Sequence, residues 1–99
     1  MKLAFKHVSN MQDRIKLAKR VSFTELDNDA VLLNLESGTY FGLNHIGVQL
    51  VKSINNGLSV SEACVTIATR YKVDLDVVKS DINELIKEMI NNDLIENLR

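Results

Sequence analysis

The hydrophobic rhythm of the sequence changes once, at Asn44, and no other feature constrains the fold as much. Before it apolar and polar residues alternate with a period of two; after it apolar residues recur every three or four positions. The first pattern suits half-buried strands and the second amphipathic helices, so a sheet region precedes a helical one. No proline interrupts either region, which leaves glycine, aspartate and asparagine to mark the turns.

"VSFTEL" (Val21–Leu26) therefore reads as a strand, "DND" (Asp27–Asp29) as a turn and "AVLLNL" (Ala30–Leu35) as a second strand. Ser37-Gly38 is expected to form a two-residue hairpin loop, returning "TYFGL" (Thr39–Leu43) as a third, antiparallel strand. Asn44 is placed to cap a helix with Ile46, Leu50, Val51 and Ile54 on one face, ending at Gly57. Ser59 and Glu62 match a capping box, and Ala63, Cys64, Ile67, Ala68 and Tyr71 stripe the helix that follows. Asp74 caps a third, longer helix in which Leu75, Val78, Ile82, Leu85, Ile86 and Met89 recur. It is expected to end near Asn91-Asn92, where an asparagine takes the left-handed cap conformation, leaving Leu94 and Ile95 to fold back onto the core. The predicted class is α+β, winged helix-turn-helix-like, with a three-stranded antiparallel sheet packed with three helices.

At 99 residues, 45% apolar and 25% charged, the chain supports one modest core. The net charge of −1 hides an asymmetry: residues 1–20 carry +5 and the remainder −6. Residues 1–20 are read as a basic arm and 21–99 as the folded domain. Within the arm, "LAFKHV" suits a strand, while "MQDRIKLAKR" suits a short amphipathic helix or simply a basic arm. No apolar run has the length of a membrane span or a secretory signal, so a cytoplasmic protein without a membrane partner is expected.

Few groups point to catalysis. His7 and His45 have no second ligand at a metal-binding spacing, and Cys64, between Ala63 and Val65, reads as a small core residue. Asp74, Asp76, Asp81, Glu84 and Glu88 fall on the polar side of the third helix, the usual place for solvated charge. No nucleophile elbow and no phosphate-cradling glycine loop occur. A non-enzymatic protein without metal or cofactor is expected. The strand-then-helix order also suits a winged-helix DNA regulator, but a third helix this acidic would be repelled by phosphate, so no nucleic-acid partner is expected.

What remains is binding through a sheet edge. "TYFGL" carries neither the proline nor the lysine that usually blunts an edge strand. In one reading Tyr40 and Phe41 only face opposite sides of the sheet, one into the core. In the other the edge accepts an extended peptide by strand addition.

The segments "VLLNLESGTYFGLNHIGVQLVKSINNG" and "YKVDLDVVKSDINELIKEMINNDLIE" resemble the PqqD-like family, the peptide recognition elements of ribosomally made natural products. They are most similar to its stand-alone lasso-peptide leader-binding members. The likeness spans about residues 21–96, and its most specific pieces are the hairpin running into "IG", then Tyr71, Asp81, Leu85 and "DLI". It implies a non-catalytic adaptor that takes the precursor's leader peptide as a fourth strand. Carried over, the receiving strand is Thr39, Tyr40, Phe41, Gly42 and Leu43, and the groove wall is Val78, Lys79, Ile82, Leu85, Ile86 and Met89. It also implies a transglutaminase-like leader peptidase to which the precursor is presented, and a cyclase acting afterwards. The alternative is a PqqD-type peptide chaperone for a radical enzyme in quinone cofactor synthesis.

Overall fold

A computed structural model describes residues 13–97. Five strands and three helices follow in the order β1 (Ile15–Leu17), β2 (Val21–Leu26), β3 (Asp29–Asn34), β4 (Thr39–Leu43), α1 (His45–Asn55), α2 (Val60–Tyr71), α3 (Leu75–Asn91) and β5 (Ile95–Asn97). The antiparallel sheet β2-β3-β4 packs with the three helices, an α+β fold as the alternation at residues 21–43 and the longer period after Asn44 predict.

Register sorts the sheet's two faces. Ala30, Leu32 and Asn34 oppose Leu43, Phe41 and Thr39 across the β3–β4 ladder, and Ala30, Leu32 and Leu43 are buried against the helices. α1 is the central helix, packing on β1, β3, β4 and both other helices, with Leu50 and Val51 fully inaccessible. Ile67 of α2 and Ile82, Ile86 and Met89 of α3 complete this core. Each such side chain contributes about 1.5–3 kcal/mol on leaving water. Cys64 lies among them, and burial pushes its thiol pKa up, as suits a packing residue.

The helix starts follow the expected caps. Asn44 accepts from the Gly47 amide at 3.0 Å, and Asp74 accepts from the Asp76 amide at 2.8 Å. Ser59 and Glu62 form a reciprocal box with bonds of 3.1 and 2.8 Å.

Three local expectations are corrected. The β3–β4 connection is a four-residue turn, 35–38, because the buried Asn34 ends the strand by accepting the Glu36 and Ser37 amides at 2.9 and 3.2 Å. Gly38 closes the turn with φ 76°. At the end of α3 the left-handed residue is Asp93 (φ 57°), not an asparagine, since Asn92 stays near φ −103°. Leu94 then turns into the core and is fully buried.

The third concerns the basic segment. "LAFKHV" and His7 lie outside the described residues. Of "MQDRIKLAKR", the described part forms strand β1 rather than a helix. β1 pairs antiparallel with β5, Ile15 opposite Asn97 and Leu17 opposite Ile95, and Ile15 is buried in the core. Asp13 ahead of it holds the start of α2, its carbonyl accepting the Val60 amide at 2.7 Å and its carboxylate the Ser61 amide at 2.9 Å.

Candidate functional site: the β4 edge and the groove beside α3

The order β2-β3-β4 leaves β4 at the margin of the sheet, and among the described residues nothing pairs with its outer side. Alternation sets which way each side chain goes: Phe41 and Leu43 turn toward the helices, Tyr40 and Gly42 away from them. Phe41 is half-buried, whereas Tyr40 is 71% exposed. A β-carbon built on Gly42 would meet nothing within 4 Å, so nothing described crowds this stretch of strand.

Between β4 and α3 runs a groove of about 360 Å³. Phe41, Gly42 and Leu43 form its strand wall, and Ile46 and Gly47 at the start of α1 lie at its base. From α3, the half-buried Leu85 gives an apolar surface over the fully buried Ile82, while Asp81, Glu84 and Glu88 form an exposed acidic lip. Gly47 makes this geometry possible. A β-carbon there would stand 2.9 Å from Leu43 Cδ2 and 3.2 Å from Leu43 Cβ, closer than packed carbons stand, and 3.4 Å from Leu85 Cδ2, an ordinary contact, so the missing side chain lets α1 settle close against β4.

Of the residues expected from the sequence, Phe41, Gly42, Leu43, Ile82 and Leu85 come together along the groove. Thr39 and Tyr40 lie on the same strand but do not line it. Val78, Ile86 and Met89 are at most 5% exposed and belong to the core. Lys79 faces the other way, into a second recess that Asn83 and Lys87 share with Ser61 and Cys64 of α2. A stripe at spacings of three and four gathers core and groove positions alike, and only the packed structure separates them. Asn44, Ile46, Gly47 and the three acids of the lip were not anticipated as groove residues. A glycine three positions after a helix cap costs about 1 kcal/mol of helix propensity, and that signal marks Gly47 in the sequence.

The groove joins apolar side chains, a strand edge that no described residue pairs, and an acidic lip. Among the described residues no three of His, Cys, Asp and Glu converge as metal ligands. His45, at the start of α1, packs edge-on against Tyr71 with ring centroids 5.7 Å apart. No helix among the described residues is long and apolar enough to cross a membrane. The site's chemistry is that of main-chain pairing: an exposed β-edge offers amides and carbonyls to an added strand.

Comparisons with known proteins agree with this architecture. The family model for coenzyme PQQ synthesis protein D (PqqD) matches residues 29–95, which span the β3–β4 hairpin, all three helices and the start of β5. No curated protein sequence matches the chain. Among solved structures, TbiB1 in complex with the TbiA(beta) leader peptide is 30% identical, with a TM-score of 0.77 over 85% of this chain and 98% of that one. A lasso peptide synthetase B1 complexed with its leader peptide shares the fold at 24% identity, with a TM-score of 0.76 over 84% of this chain and 98% of that one. Hairpin, helices and groove wall all lie within the matched residues, and the chain belongs to the PqqD family.

Proposed function

We propose that this protein is a non-catalytic adaptor that binds the leader of a ribosomally made precursor peptide along β4 and presents it to a processing enzyme. The observation that carries the proposal is the unpaired outer side of β4 facing a groove walled by α3. An extended leader pairs with Thr39–Leu43, so the backbone supplies affinity without regard to sequence. Alternate leader side chains turn into the groove against Phe41, Leu43 and Leu85, which supplies selection. The 30% identical relative, solved with a leader peptide, supports this reading.

The adaptor's contribution to processing is effective concentration: a leader held on β4 keeps the attached core peptide near a partner peptidase. A lasso-type pathway, with a transglutaminase-like peptidase and then a cyclase, is the context we favour over quinone cofactor synthesis. The resemblance of the sequence to lasso-peptide leader-binding members, together with the fold shared with a lasso peptide synthetase B1, motivates that preference.

Titration calorimetry with the cognate leader should give micromolar or tighter binding, about −8 kcal/mol at 1 µM. On binding, hydrogen exchange should slow at the outward-facing amides of Thr39–Leu43. Leu85→Asp should abolish binding while the circular dichroism stays helical. Binding that leaves residues 39–43 unprotected, or that survives Leu85→Asp, refutes the site.

A further inference from the structure

We propose that the groove is specific for a basic peptide, one that carries Lys or Arg at two positions separated by a single residue on the side facing α3. The inference rests on the reading of the groove as a peptide site and adds the chemical class of its occupant.

From Lys79 to Glu88 the charges of α3 divide between two faces. Asp81, Glu84 and Glu88 line the groove, whereas Lys79, Asn83 and Lys87 line the recess on the opposite side, against α2. A helix face that serves only solvation gains from mixed signs at spacings of three and four. Here a single such pair forms, Glu84 with Lys87 at 3.7 Å, and both its side chains are largely exposed. Among the described residues Asp81 and Glu88 make no ion pair. The wall across the groove, Phe41, Gly42 and Leu43, carries no charge to answer them.

An apolar floor below an acidic lip matches one class of side chain in both parts. Lysine and arginine have apolar stems that can lie on Phe41 and Leu85, and cationic heads that reach the lip. The spacing fits an extended chain as well. Glu84 and Glu88 are one helical turn apart, about 6 Å along the axis. Alternate residues of a strand, which share a face, are about 6.7 Å apart. Two cations at positions i and i+2 of a peptide running along β4 and α3 therefore match the spacing of Glu84 and Glu88, with Glu84 exchanging its exposed Lys87 partner for one of them. An acidic segment in the same place would meet like charge along the whole lip.

The test is selection of a displayed library of random ten-residue peptides on this protein and on the triple variant Asp81→Asn/Glu84→Gln/Glu88→Gln. All three positions are exposed, so the variant keeps its core. Peptides selected on the parent protein should be enriched in Lys or Arg at i and i+2, and the enrichment should disappear on the variant. A selected peptide should bind the variant roughly two- to thirty-fold more weakly, the loss expected from two exposed ion pairs. Peptides that are lost on Leu85→Asp yet neutral or acidic, and indifferent to the triple variant, overturn the charge inference and leave the peptide site standing. Failure of the parent protein to retain any peptide, or retention that survives Leu85→Asp, overturns the peptide-site reading and this inference with it.

Discussion

Replacing Gly47 with alanine sets two effects of similar size against each other, and the structure decides between them. Alanine is the better helix former by about 0.8–1.0 kcal/mol, so on propensity alone the variant would be more stable. Its β-carbon, however, would stand 2.9 Å from Leu43 Cδ2 and 3.2 Å from Leu43 Cβ, where carbon atoms prefer about 3.5–4.0 Å. The Cδ2 methyl is the end of a side chain that borders the groove, so that contact can relax by a small side-chain rotation. The Cβ contact is relieved only if β4 or α1 moves by a few tenths of an ångström. Overpacking of this kind costs about 1–3 kcal/mol, which exceeds the propensity gain through most of its range. We expect Gly47→Ala to lose about 1 kcal/mol, seen as a Tm lower by ~4–8 °C in a domain of this size. Peptide affinity should fall too, since Leu43, whose atoms must shift, belongs to the strand wall of the groove. Thermal melts and leader titration on one preparation check both effects. A Tm raised by several degrees with unchanged peptide affinity would show that the close approach is soft and that helix propensity governs the position.

Leu85→Ala should weaken peptide binding with little change in stability, whereas Ile82→Ala, at a fully buried position, should cost about 2–5 kcal/mol; urea titration separates them. At Asp93, held at φ 57°, glycine should be neutral or stabilising by up to ~1 kcal/mol and valine destabilising, because the left-handed conformation penalises a β-branched residue. Ser59→Ala should cost roughly 0.5–2 kcal/mol through the lost cap of α2, measured by urea titration. The Ser59 amide, and then its hydroxyl, holds the Glu62 carboxyl below the ordinary glutamate range. That stabilisation is present above the ordinary range and is lost as the pH falls through the lowered value, so the Tm of Glu62→Gln should drop less between pH 6 and pH 3 than the parent's.

Legibility in the sequence followed the range of the interactions. "VSFTEL" and "TYFGL" give strands with the expected bounds, and Asn44, Ser59 and Asp74 all cap helices, because alternation and capping are set by neighbouring residues. The hairpin turn was less legible. Asn34 belongs to the alternating run, yet its side chain captures two turn amides and ends the strand one residue early. Strand β1 was illegible from its own residues: Ile15-Lys16-Leu17 becomes a strand only by pairing with Ile95–Asn97, about eighty residues downstream. The groove was half legible. The strand wall could be read from "TYFGL", but Val78, Ile82, Leu85, Ile86 and Met89 share one helical stripe. Of these only Leu85 stays partly uncovered at the groove, with the fully buried Ile82 beneath it, because the packing of α3 against α1, which no local pattern encodes, decides which side chains are covered.

The β1–β5 ladder has an architectural consequence. Because Ile15 lies opposite Asn97, the first and last strands of the described residues stand side by side, about 5 Å apart for paired strands. A host protein could therefore carry this unit inside one of its own surface loops, parting that loop by no more than the width of a strand pair. The clasp thus gathers both ends of the described unit at one place on its surface.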